Sequence, residues 1–110
     1  MAKYEKRLTG DFDSFLHILH DGLIGRSMSA ILQGYSNHVV NGVKCAVRVY
    51  ERHSWPSGNR VSMNITTTCH GEDIFVSVIT AAGSGAVFLK LNTFGEKAFL
   101  QHAIDIIENF

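Results

Sequence analysis

Three turn signals in the middle of this chain, read as hairpins, place the apolar residues of four consecutive strands on one face of a sheet. Asn41-Gly42 is the strongest of the three, because a type I′ turn needs positive φ at both central positions. It pairs Val40 with Val43 and sets Met28, Ala30 and Leu32 on the face of Val43, Cys45, Val47 and Val49. The same register points Ser36 and His38 inward, a conflict that a bulge or an earlier turn near Ser36-Asn37 would remove. Trp55-Pro56-Ser57-Gly58-Asn59, taken as a symmetric loop, pairs Val49 with Ile65, Val47 with Thr67 and Cys45 with Cys69. Gly71-Glu72 fits a type II′ turn and sets Ile74, Val76 and Val78 opposite Cys69, Thr67 and Ile65. A one-residue slip in any of these hairpins would turn that strand inside out.

Helical patterns flank the strands. Lys3 to Thr9 alternates weakly and reads as a short first strand. Asp11 then caps a helix whose apolar face is Phe12, Phe15, Leu16, Leu19 and Leu23, with Gly22 and Gly25 as its stop. Near the other end, Ala82-Gly83-Ser84-Gly85 can close a further hairpin to a strand over Ala86–Leu91. Thr93 and Glu96 have capping-box spacing for a last helix, in which Phe99, Leu100, Ala103, Ile104, Ile106, Ile107 and Phe110 form a broad apolar arc. The expectation is an α+β, two-layer domain with a curved antiparallel sheet of five to six strands. Two helices lie on one face, in the order β-α-β-β-β-β-(β)-α. That order resembles a reduced helix-grip or TATA-binding-protein-like domain, a likeness of fold that carries no function.

Composition bounds the role. One domain over residues 1–110 suits the length. The formal net charge of +0 gives no bulk attraction to nucleic acid. No apolar run reaches the ~20 residues of a membrane span. The charged start, Met-Ala-Lys-Tyr-Glu-Lys-Arg, does not read as a signal peptide. Two cysteines without C-x-x-C spacing fit a reducing compartment, so a cytoplasmic location is expected.

Ala2-Lys3-Tyr4-Glu5-Lys6-Arg7-Leu8, the stretch from Cys45 to Arg52 and the stretch from Ala86 to Glu96 resemble a small bacterial family of uncharacterised function, domain of unknown function 6054. The resemblance covers essentially the whole chain. It implies a compact cytosolic domain and carries no catalytic or binding residue with it.

The candidate chemistry is sparse. Asp13, His17, His20 and Asp21 share the polar side of the first helix, and imidazole with carboxylate is a zinc or iron ligand set. Without an H-E-x-x-H signature, a solvated helix face is the plainer reading, and a metal-dependent enzyme is the weakest of the functional ones. Cys45 and Cys69 are expected to face each other as packed thiols, and Gly83-Ser84-Gly85 as a hairpin link, not a phosphate loop. Lys44, Arg48 and Arg52, with Tyr50 among them, are expected on the outer sheet face, where basic residues and an aromatic could hold phosphates. His38, Glu51 and His53 point inward near strand ends and are candidates for a ligand-pocket mouth. Phe75, Ile79 and Phe88 converge on the outer face, with Tyr50 and Trp55 near them, and apolar groups on a wet face mark an interface. The leading expectation is a non-enzymatic binding domain that self-associates through that face, as a homodimer or with a protein partner. A carrier of a small apolar ligand between sheet and last helix is the alternative. No motif implies a cofactor.

Overall fold

The computed structural model describes residues 1–26, 30–54, 59–82 and 89–110. Its elements are β1 (Ala2–Thr9), α1 (Phe12–Arg26), β2 (Ile31–Val40), β3 (Val43–Ser54), β4 (Asn59–His70), β5 (Asp73–Ala82) and α2 (Leu89–Glu108). The strands form one antiparallel sheet in the order β1-β5-β4-β3-β2. The chain therefore crosses from one edge of the sheet to the other between β1 and β2, and α1 lies in that crossing. The α+β expectation holds, with five strands in the sheet. The strand expected over Ala86–Leu91 is not formed where it can be followed: Leu89–Leu91 already belong to α2, and 86–88 lie outside the described residues.

Two of the three turns form as their residues dictate. Asn41 and Gly42 both have positive φ, 52° and 79°, and Val40 pairs with Val43. Gly71 alone carries the positive φ of the next turn, at 62°, as a type II′ turn requires. Ile74, Val76 and Val78 then pair with Cys69, Thr67 and Ile65 as expected.

The middle hairpin is where the chain departs from expectation. Ser54 pairs with Asn59, so four residues, not five, separate the strands. Asn59 belongs to β4. Arg48, Ala46 and Lys44 now stand opposite Ile65, Thr67 and Cys69, and Cys45 stands opposite Thr68. Every side chain of β3 is thereby exchanged between faces. Lys44, Ala46, Arg48, Tyr50 and Arg52 take the helix side, while Val43, Cys45, Val47 and Val49 face away. Tyr50, expected outside, is 1% exposed. Its ring packs into the core and its hydroxyl reaches Nδ1 of His20 at 2.8 Å, a specific fit that favours the observed register. In β2 the register shifts between Leu32 and Gly34. This bulge turns Leu32 to the helix side opposite Tyr50 and leaves Ser36 and His38 facing out, so the polar-inward conflict disappears.

The core lies between the sheet and the two helices. Phe15, Leu19 and Leu23 of α1 meet Phe99, Ala103 and Ile107 of α2 over Val61, Met63, Ile65, Val76 and Val78. Asp11 caps α1 as expected, accepting from the Ser14 N–H at 2.9 Å. Gly22 does not end that helix. A Cβ there would lie 2.7 Å from Cδ1 of Ile106, so its place is the close crossing of α1 on α2. Gly25 also lies within α1, which runs on to Arg26. α2 starts before Thr93, so Glu96 is no part of a capping box. Its buried carboxylate accepts from the Ala82 N–H at 2.9 Å and lies 3.1 Å from the Met1 ammonium, and its carbonyl accepts from Thr80 at 3.2 Å. The far end of α2 is held to β1 by Glu108, which accepts from Tyr4 at 2.8 Å and pairs with Lys6. Lys6, and then Tyr4, hold the Glu108 carboxyl below the usual range.

Candidate functional site

The inversion of β3 decides what each face of the sheet presents. On the helix side, the Tyr50 hydroxyl sits 2.8 Å from Nδ1 of His20. Burial pushes the Tyr50 phenol up to about 12, with Arg48 opposing and Asp21 adding to the shift, so the hydroxyl keeps its proton. His20 is thus tied to the core edge, at the inner side of a cleft that Asp13 and His17 also line. His17 Nε2 pairs instead with Asp21 at 3.0 Å, on the exposed side. Asp13 stands at the rim of a cleft with Leu16 and Arg48. Asp13, His17 and His20 thus border one cleft while Asp21 pairs with His17, and among the described residues no three His, Cys, Asp or Glu side chains gather as metal ligands.

The basic row expected outside is used on the inner side. Arg52 lies over the Phe99 ring, 4.6 Å from its centroid. Arg48 lies over Tyr35 at 5.2 Å and donates through Nη1 to Asn37 Oδ1 at 2.8 Å and to the Val47 carbonyl at 3.0 Å. The expected pocket mouth is also rearranged. Glu51 and His53 share the outward parity of β3, and Glu51 meets Arg60 at 3.5 Å. With Arg52 and Arg60 they border a hollow of only about 50 Å³. His38 is outward on β2, opposite Cys45, and borders the α1 cleft. The space between α2 and the sheet is occupied by Tyr50, Met63, Val76, Val78 and Phe99, each almost fully buried.

The outer face is different in kind. Among the described residues, neither helix places a side chain on it. Val43, Cys45, Val47 and Val49 run along β3, with Val40 beside Val43 across the turn. Next to them stand the polar residues of β4, Ser62, Asn64, Thr66 and Thr68, and then Phe75 and Ile79 on β5. Phe75 lies beside Thr68 as expected, and Ile79 and Val43 are 38% and 36% exposed. β1 borders this face with Lys3, Glu5 and Arg7, and the Arg7 guanidinium lies 5.7 Å from the Phe75 ring centroid. A hollow of about 550 Å³ opens at the turn end of the face, between Arg7, Thr68, His70, Asp73 and Phe75. Trp55 and Phe88 lie outside the described residues.

Reading the sequence thus found the β5 half of the open face and missed the β3 half. The signal was present in the spacing. Val43, Cys45, Val47 and Val49 form an apolar row that competes with Ala46 and Tyr50 for the core, and one loop residue decides between them. The tie between His20 and Tyr50 joins residues thirty apart, so it had no local signal. Comparison with known proteins adds one match and one blank. A family model described as a family of unknown function matches residues 1–110. No curated protein matches the chain.

Proposed function

The chain belongs to that family, DUF6054, and from its geometry we propose a non-enzymatic interaction domain that pairs with a second copy of itself through the outer face of the sheet. The observation that carries this reading is the row Val43, Cys45, Val47 and Val49, turned away from both helices, with Phe75 and Ile79 on the same face. Apolar groups gathered on a face expected to be wet mark an interface. The size is adequate. Strands of about ten residues at ~3.3 Å each, five abreast at ~4.8 Å, span roughly 800 Å², which is close to the ~800 Å² per partner of a standard protein interface. Two copies meeting face to face would build the second sheet of a sandwich and use one patch twice, as a twofold axis requires. The net charge of +0 does not oppose self-association. A cytoplasmic setting fits the same reading, since both cysteines are free thiols.

Sedimentation equilibrium tests it. The wild-type chain is expected to be a dimer, and Val47→Glu a monomer with an unchanged circular dichroism spectrum. Ile79→Lys, on the neighbouring half of the face, should weaken the dimer in the same way. A wild-type chain that stays monomeric at millimolar concentration would end the proposal.

A further inference from the structure

Away from the open face, the helix side holds a cleft that the dimer reading does not use. It lies between α1 and the projecting part of the β2–β3 hairpin. One lobe measures about 350 Å³. A second of about 340 Å³ adjoins it, and both share Asp13, Leu16 and Arg48. Each lobe is within the size range of small-ligand sites. Its apolar surfaces come from Leu16, Leu32 and Tyr35, and its fixed cations are Arg48 and Lys44. Against these two cations the lining holds one carboxylate, Asp13, so the cleft is net positive in a chain that is neutral overall.

Two features in this cleft go beyond what folding needs. Tyr35 is 69% exposed although it faces the helix side of the sheet. Its ring is held by Arg48 on one side, which leaves a π-face for a planar guest. Arg48 is itself prepositioned. Among the described residues both its hydrogen bonds leave from Nη1, so Nη2 and Nε keep three of the five guanidinium donors for an anion. The bonds to Asn37 and Val47 fix the guanidinium before any ligand arrives, which lowers the cost of binding. From these placements we infer that the cleft between α1 and the β2–β3 hairpin binds a small molecule with a planar aromatic body and one anionic group. The ring stacks at Tyr35 over the Leu16–Leu32 floor, and the anion takes Arg48.

The probe is 8-anilinonaphthalene-1-sulfonate, an aromatic sulfonate, compared with its neutral analogue N-phenyl-1-naphthylamine in fluorescence titrations. The wild-type chain should bind the sulfonate saturably at one site per chain and prefer it over the neutral dye. Arg48→Met should lower sulfonate affinity about tenfold, the loss expected for a charge-assisted contact, and abolish the preference. Tyr35→Ala should weaken both dyes. Val47→Glu, on the opposite face, should leave both titrations unchanged, so the cleft and the dimer face are tested independently. Amide chemical-shift changes on adding the sulfonate should centre on Leu16, His20 and Leu32, a readout that remains if a variant folds poorly. Absence of saturable binding would overturn the inference. So would sulfonate binding lost in Val47→Glu but retained in Arg48→Met, or shift changes confined to the outer strand positions.

Discussion

Gly22 and Gly25 stand one turn apart in α1 and behave as different residues. At Gly22 a methyl group would press on Cδ1 and Cγ1 of Ile106, at 2.7 and 2.9 Å. At Gly25 it would meet nothing within 4 Å. Alanine in place of glycine gains about 1 kcal/mol of helix propensity at either site, while overpacking a filled contact costs about 1–3 kcal/mol. Gly25→Ala should therefore stabilise the chain by about 0.5–1 kcal/mol. Gly22→Ala should destabilise it by about 1 kcal/mol. Urea unfolding curves check both, and Ile106→Val placed beside Gly22→Ala should recover part of the loss. From sequence the two glycines looked alike, as helix stops, because glycine is common at helix ends and equally useful where two helices touch. Only the position of Ile106, more than eighty residues away, separates the two uses.

At the scale of elements, β3 is the strand whose placement was least legible and whose placement matters most. The outer turns announced their own geometry, since Asn41-Gly42 and Gly71 each occupy backbone conformations that few residues accept. The loop after β3 had no such constraint on its length. Both parities of β3 offer a plausible inner face, and only the fit of Tyr50 beneath α1 chooses one. Thiol reactivity reads that choice directly. Cys45 is half-buried on the outer face and Cys69 is buried in the core. In the native Val47→Glu monomer, whose outer face has no partner, a bulky aromatic disulfide reagent should modify Cys45 and reach Cys69 only on unfolding, with peptide mass mapping to identify the site. Equal protection of both would restore the other register. α2 offers a second test at this scale. Glu108 holds its end to β1, and its folded-state carboxyl is depressed below its ordinary value of 4.5. A depressed carboxyl contributes stability that is present above the unfolded value and lost as pH falls through the folded one. The difference in melting temperature between the wild-type chain and Glu108→Gln should therefore be widest near neutral pH and shrink in acid.

For the whole molecule, two thin layers leave one broad face of the sheet without a cover among the described residues. If a second copy supplies that cover, folding and association are linked, and the melting temperature of the wild-type chain should rise with protein concentration. Val47→Glu should melt at a temperature independent of concentration. Differential scanning calorimetry over a hundredfold dilution series separates the two. The sheet also has two free edges, and each carries a device that discourages further strand addition. β2 is broken by its bulge at Leu32/Gly34, and β1 is lined with Lys3, Lys6 and Arg7. Growth through the face can close on itself, whereas growth through an edge would not.

The place of β1 also has a temporal side. Ala2 pairs with Thr80 and Thr9 with Asp73, so β1 leaves the ribosome well before the strand it pairs with. During synthesis, Tyr4 and Leu8 must wait in the open until β5 has been made, while each of the other strands can fold against the one just before or after it. A chain built this way completes its sheet by a late closure of β1 on β5, and the slow step of its folding is expected to be that closure.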